Sequence, residues 1–203
     1  ATVNFLDLNT SYELDSLNLF TLSGSGVFFT LDLAGTTQTA MNAADGSPIY
    51  KYKSTTEFPG FNYHNWNGRF DWQHKTRREG EMFTLSYMLA FTKCRDNEQV
   101  AYENILNMPM NYNGYAQSKH EYFSENTVQA DYVRPLSEHH KIETGAKYIY
   151  RLNRSNTAMD YDGAEDENTM SVFRHTTHVA ALYAQYMLNV GRWSARAGLR
   201  YEY

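Results

Sequence analysis

The residues closest to a metal site are Asp160-Tyr161-Asp162-Gly163, followed by Glu165, Asp166 and Glu167. Carboxylates so close together are hard oxygen donors, and a calcium site in this chain would be built from Asp160, Asp162 and Glu165. The stretch lacks the full twelve-residue loop with its closing glutamate, so a solvated acidic loop is the plainer reading. His175 and His178 stand three apart, which in a strand puts them on opposite faces and prevents joint ligation of a metal. His139-His140 falls in a turn, where neighbouring side chains diverge. Cys94 is the single cysteine, which excludes an internal disulfide and any multi-cysteine metal site.

Catalytic patterns are equally sparse. Paired carboxylates such as Asp71 with Asp131 are the residue types that flank a glycosidic bond, but nothing in the sequence brings the two together. No nucleophile elbow, phosphate-binding loop or dinucleotide glycine pattern appears. Gly24-Ser25-Gly26 lies inside a strand pattern, where it marks a bend or a close approach. The expectation is a protein that binds without covalent chemistry and carries no cofactor, its ligand-binding residues not identifiable from sequence.

Composition narrows the class. Against 23 acidic residues stand 18 basic ones, a net charge of −5 that leaves no basic excess for neutralising nucleic-acid phosphates. The 17 Tyr, 11 Phe and 3 Trp with only 4 Pro suit half-buried pleated strands. No apolar run is long enough for a transmembrane helix, and no signal peptide is visible at the start. The missing apolar run does not exclude a transmembrane barrel, whose strands alternate lipid-facing and lumen-facing residues.

The elements that would carry these residues read as eight strands. From Trp193 to Tyr203 the odd positions are apolar or aromatic, while Arg192, Ser194, Arg196, Gly198, Arg200 and Glu202 are polar, charged or glycine. That period of two is a strand with one apolar and one wet face. The same alternation appears at Leu6 to Leu14, Phe20 to Phe28, Trp66 to Trp72, Phe83 to Phe91, about 122–134, Ile142 to Tyr150 and Ala180 to Leu188. Short turns are expected at Asp15-Ser16, at Thr76 to Gly80, at Leu136 to His139 and at Asn189 to Arg192. Residues 31–60, 95–119 and 153–171 read as long irregular loops; the second contains Met108-Pro109-Met110.

Connections therefore alternate short and long. Compact soluble domains seldom tolerate irregular loops beyond about 12–15 residues. Short turns at one end and long loops at the other are how outer-membrane barrels are built. The pattern predicts an all-β fold: an antiparallel up-and-down transmembrane β-barrel segment of about eight strands. Its polar faces (Asn65, Asn67, Arg69, Asp71; Lys141, Glu143, Lys147; Arg196, Arg200, Glu202) would face the lumen and the apolar parity would face lipid. The competing expectation is a soluble β-sandwich binding module, with aromatics stacking glycans.

Glu125 to Tyr132, Lys141 to Tyr148, Ala181 to Tyr186 and Ala197 to Tyr203 together resemble a motif of Bacteroidetes-type outer-membrane β-barrel proteins, which are similar to TonB-dependent receptors. The resemblance is best over about 125–203. It implies a parent with a small N-terminal β-sandwich, a plug and a barrel of about 22 strands, of which residues 1–203 would be a partial barrel domain. It further implies import of a bulky nutrient or chelate. The implied partners are outer-membrane lipid, an inner-membrane energy-transducing complex reached through the plug, and a surface lipoprotein capping the barrel. No ligand-contacting residue is carried over by the resemblance.

Overall fold

The computed structural model describes residues 1–108 and 111–203; Pro109 and Met110, part of the expected second loop, lie outside the described residues. Eight strands run in chain order: β1 (Thr2–Asp15), β2 (Asn18–Asn42), β3 (Pro48–Lys75), β4 (Met82–Leu106), β5 (Gly114–Pro135), β6 (His140–Asp162), β7 (Thr169–Val190) and β8 (Trp193–Glu202). They form one antiparallel sheet in which every strand pairs with its neighbours in sequence. Among the described residues no strand contacts a non-adjacent strand, and β1 and β8 do not meet. Among the described residues there is no second sheet. This overturns the soluble-sandwich expectation, because a sandwich core needs two inner faces packed together.

A single-layer sheet has almost no interior. Val100 and Ala181 are its only buried apolar residues among those described, and the buried polar ones are Ser86, Ser124 and Thr127. Large apolar side chains stand open on one face, with Leu199 at 86% and Leu182 at 63% exposure. The register collects them into a band: Phe20–Trp72–Leu85 and Leu22–Phe70–Tyr87–Val128–Tyr148 lie side by side across successive strands. Rings interlock along it, as in Phe28 edge-on to Trp66 at 4.7 Å and Phe91 to Tyr122 at 5.2 Å. Gly26 lies directly opposite Trp66, and a Cβ there would come within 3.0 Å of the indole. The close approach expected of the Gly-Ser-Gly step is thus met by a ring lying across it.

The four expected short turns are present, at residues 16–17, 76–81, 136–139 and 191–192. In the first, Asp15 Oδ1 accepts the Leu17 and Asn18 amides at 2.8 Å each, a side chain closing the turn in place of backbone. In the second, Glu81 Oε2 accepts the Thr76 hydroxyl at 2.6 Å and its other oxygen accepts the Tyr132 hydroxyl, tying the turn to β5.

The three long loops are corrected. Residues 31–60, 95–119 and 153–171 are mostly paired strand, and the connections left at that end are 43–47, 107–113 and 163–168. The alternation survives as strand extension: β2 to β7 continue well past the apolar band as three hairpins. The fifth strand starts at Gly114, earlier than expected. These segments lost their period of two because both of their faces meet water, so neither needs to be apolar. A bulge adds to this. Between Glu57 and Asn62 β3 spends five steps while β4 spends four, from Gln99 to Arg95. Gly60 there has φ of +67°, and its amide donates to Asp32 Oδ1 at 2.6 Å. Beyond the bulge the facing parity of β3 reverses.

Two outcomes follow. Leu85→Arg, in the apolar band, lowers stability by about 2–4 kcal/mol in a bilayer, whereas Thr84→Arg, one residue away on the polar face and opposite Asp131, changes it little; equilibrium unfolding from lipid vesicles reads both. The Thr76 hydroxyl, then the Tyr132 hydroxyl and the Arg134 charge, hold the Glu81 carboxyl below the usual 4.5. Its contribution is therefore complete above pH 4.5 and fades as pH falls through the lower folded value. Glu81→Gln removes that part of the acid sensitivity, seen as amide exchange of residues 76–81 measured against pH.

Candidate functional site

The face opposite the apolar band carries the chemistry. Register places Asn65, Asn67, Arg69, Asp71, Lys141, Glu143, Lys147, Arg196, Arg200 and Glu202 all on it, as the alternation predicts. Its carboxylates are tied. Asp71 accepts Arg69 Nε at 2.6 Å and also the hydroxyl of buried Ser86. Asp131 accepts Gln129 Nε2 at 2.8 Å and the Tyr183 hydroxyl. Glu143 takes Gln185 Nε2 at 2.9 Å and Lys141 Nζ at 2.7 Å, while Glu125 is paired with Arg151. The structure brings Asp71 and Asp131 onto one wall, which the sequence did not reveal, but each is committed to fixed donors. They form a charge-balanced, wettable surface.

Tyr183 reaches Asp131 because Gly145 lets it. The two are direct cross-strand partners, and a Cβ on Gly145 would lie 2.3 Å from the Tyr183 ring. The ring therefore lies flat over the glycine and spans β6 to the carboxylate on β5. Where small residues line the wall, at Ser23 and Ser25 of β2, a shallow groove of about 490 Å³ opens against Asn67, Arg69, Glu125 and Lys147.

Beyond the band the same face becomes aromatic. Tyr52 meets Tyr102 edge-on at 5.7 Å, Tyr102 lies 6.2 Å from Tyr112, and Tyr112 lies 4.9 Å from Tyr161. Tyr50 stacks on Tyr52 at 6.3 Å and Tyr115 lies 6.3 Å from Tyr161. Six rings thus run across β3, β4, β5 and β6. Burial, then neighbouring tyrosine and Glu98 charges, push the Tyr102 and Tyr115 hydroxyls above the ordinary phenol range, so they stay neutral hydrogen-bonding groups. Sequence reading missed this ladder because it lies in segments taken for loops. The Tyr50-Lys51-Tyr52 spacing was the available signal.

Asp160 and Asp162 share the opposite, outward face at the end of β6, and Glu165 sits in a 3₁₀ turn (Glu165–Glu167) beyond it. With Thr55, Glu57 and Asn168 they border an open groove of about 600 Å³. Among the described residues no three His, Cys, Asp or Glu side chains are gathered tightly enough to hold a metal ion. His178 faces outward with Nδ1 2.7 Å from the Tyr148 hydroxyl, while His175 lies on the inner face beside Thr177.

One apolar face, one charge-paired face, a complete ladder of neighbour-paired strands and hairpins extended at one end together define the wall of a transmembrane β-barrel. Residues 74–203, well over half of the chain, match the outer membrane protein beta-barrel family. The chain belongs to that family, and its place is the bacterial outer membrane. No curated protein matches the chain.

The Gly145–Tyr183 contact gives a clear expectation. Gly145→Ala displaces the ring and destabilises the sheet, and Tyr183→Phe, which leaves Asp131 short of a donor, costs about 1–3 kcal/mol. Tyr183→Ala combined with Gly145→Ala is less damaging than the sum of Tyr183→Ala and Gly145→Ala made singly, because the clash has gone; wild type, these two singles and the double close the cycle. Unfolding midpoints of the four proteins measure this coupling.

Proposed function

We propose that this chain is the barrel portion of a TonB-dependent-receptor-like importer, which captures a bulky nutrient or chelate and passes it inward without covalent chemistry. The observation that carries the reading is the tyrosine ladder continuous with the charge-paired wall. Rings with neutral hydroxyls offer flat contact and hydrogen bonds to a large solute, and the polar wall below them is wettable along its whole height. In this reading the extended hairpins stand outside the cell and the short turns face the periplasm. Further strands pair with the exposed edges of β1 and β8, because open sheet edges do not persist against lipid. A plug closes the lumen, an inner-membrane complex supplies energy through it, and a surface lipoprotein caps the mouth.

Orientation is tested by labelling in intact cells, in a Cys94→Ala background. Ser47→Cys and Asn168→Cys react with an impermeant maleimide, whereas Ser16→Cys and Arg192→Cys react only after the outer membrane is opened. The reverse pattern sinks the orientation. For transport, the full-length protein in planar bilayers conducts little, and uptake that depends on it stops when a protonophore collapses the inner-membrane gradient. Steady ohmic conductance with protonophore-resistant uptake would instead make the protein a passive pore.

A further inference from the structure

The outward face changes character abruptly where the apolar band ends toward the extended hairpins. One cross-strand row there reads His64, Lys93, Tyr122, Arg154, Arg174, each directly opposite the next from β3 to β7. Two residues further out, Arg95 lies between Asn62 and His120. Lys93, Arg95, Arg154 and Arg174 are all exposed. The seven ion pairs among the described residues involve none of them. Asp32, on the same face of β2, is engaged with the Gly60 amide.

Arg154 directly opposite Arg174 is the informative pair. Like charges facing each other across two strands destabilise a sheet, and here no carboxylate intervenes. The wall's inner face solves the same problem differently, pairing Arg69, Arg151 and Arg200 with acidic neighbours. The outward row therefore has an anion missing from its balance. Its height says which kind. The row borders the apolar band, and the rings of Trp66 and Phe91 lie two residues below it on the same face, at the level where barrels carry their interfacial aromatics. An anion at that level, outside the barrel, is a lipid head group.

We propose that Lys93, Arg95, Arg154 and Arg174 form a docking strip for the phosphate groups of an outer-leaflet glycolipid, with Arg154 and Arg174 sharing one phosphate between their guanidinium groups. A guanidinium fork matches phosphate oxygens in bidentate geometry, so two facing arginines convert from repelling neighbours into a clamp when a phosphate enters. The outer-leaflet assignment rests on the orientation proposed above, and the cell-labelling experiment tests that separately.

The binding test uses the full-length protein delipidated in an uncharged detergent, with three probes: phosphorylated lipid A, the same lipid dephosphorylated, and inorganic phosphate. Native mass spectrometry reads retention and a thermal melt reads stability. The expected result is retention of the phosphorylated lipid alone. Arg154→Gln with Arg174→Gln weakens it by roughly tenfold or more, about fivefold for each charge removed near a lipid surface. Lys51→Gln with Lys53→Gln, further out on the same face, leaves it unchanged. Without lipid, Arg174→Gln melts at or above the wild-type temperature, since a repulsion has been removed; with the phosphorylated lipid the order reverses. Equal retention of the dephosphorylated lipid, equal stabilisation by inorganic phosphate, or retention unaffected in the double variant would each overturn the proposal. The comparison of the three probes stands on wild-type protein even where a variant fails to fold.

Discussion

Everything in this molecule depends on the backbone ladder. In hydrocarbon an unpaired amide or carbonyl has no water to turn to, and a single-layer sheet has no core to compensate. Each strand from β3 to β6 is therefore paired on both sides along most of its length, and β2 and β7 are paired on both sides through the apolar band. The side chains then have two separate tasks: one parity must be tolerable to lipid, the other to water. The apolar band and the charge-paired wall are the two solutions, and they are back to back on the same residues' backbone. Even the interruptions keep the ladder intact. The β3 bulge gives its displaced Gly60 amide to Asp32, and Gly145 gives up its side chain so that a neighbour's ring can cross it.

What the sequence revealed follows from where the two faces differ. Within the band one face is apolar and one polar, so alternation at Trp66 to Trp72 or Phe83 to Phe91 fixes both strand and facing. All ten polar residues assigned to the inner wall from alternation lie on it. Past the band the difference vanishes. Thr36-Thr37-Gln38-Thr39 is paired strand with polar residues on both sides, and no periodic signal distinguishes it from a loop. The bulge at Gly60 compounds this by reversing parity in mid-strand, so even a careful count along β3 goes out of phase.

The tyrosine ladder and the basic row were hidden for a related reason. Tyr52, Tyr102, Tyr112 and Tyr161 are far apart in sequence and meet only through the registers of β3 to β6. The same holds for Lys93, Arg154 and Arg174, which look like scattered surface charges until the ladder sets them in one row. By contrast, the acidic run at Asp160 to Glu167 looked concentrated, yet it is divided between a strand end and a 3₁₀ turn along one open groove and, among the described residues, gathers no three carboxylates tightly enough for a metal ion. Proximity in sequence overstated that site, and distance in sequence concealed the others.

The lack of a shared core has a consequence for how such a protein changes over generations. Each strand answers only to its two neighbours, so a β-hairpin is a self-contained unit of construction. Duplicating one would widen the ring by two strands, and losing one would narrow it, without any packed interior to rebuild. The width of the opening becomes a matter of copy number, while the chemistry of its lining is set residue by residue on the inner wall. Circumference and lining chemistry can thus evolve independently of each other.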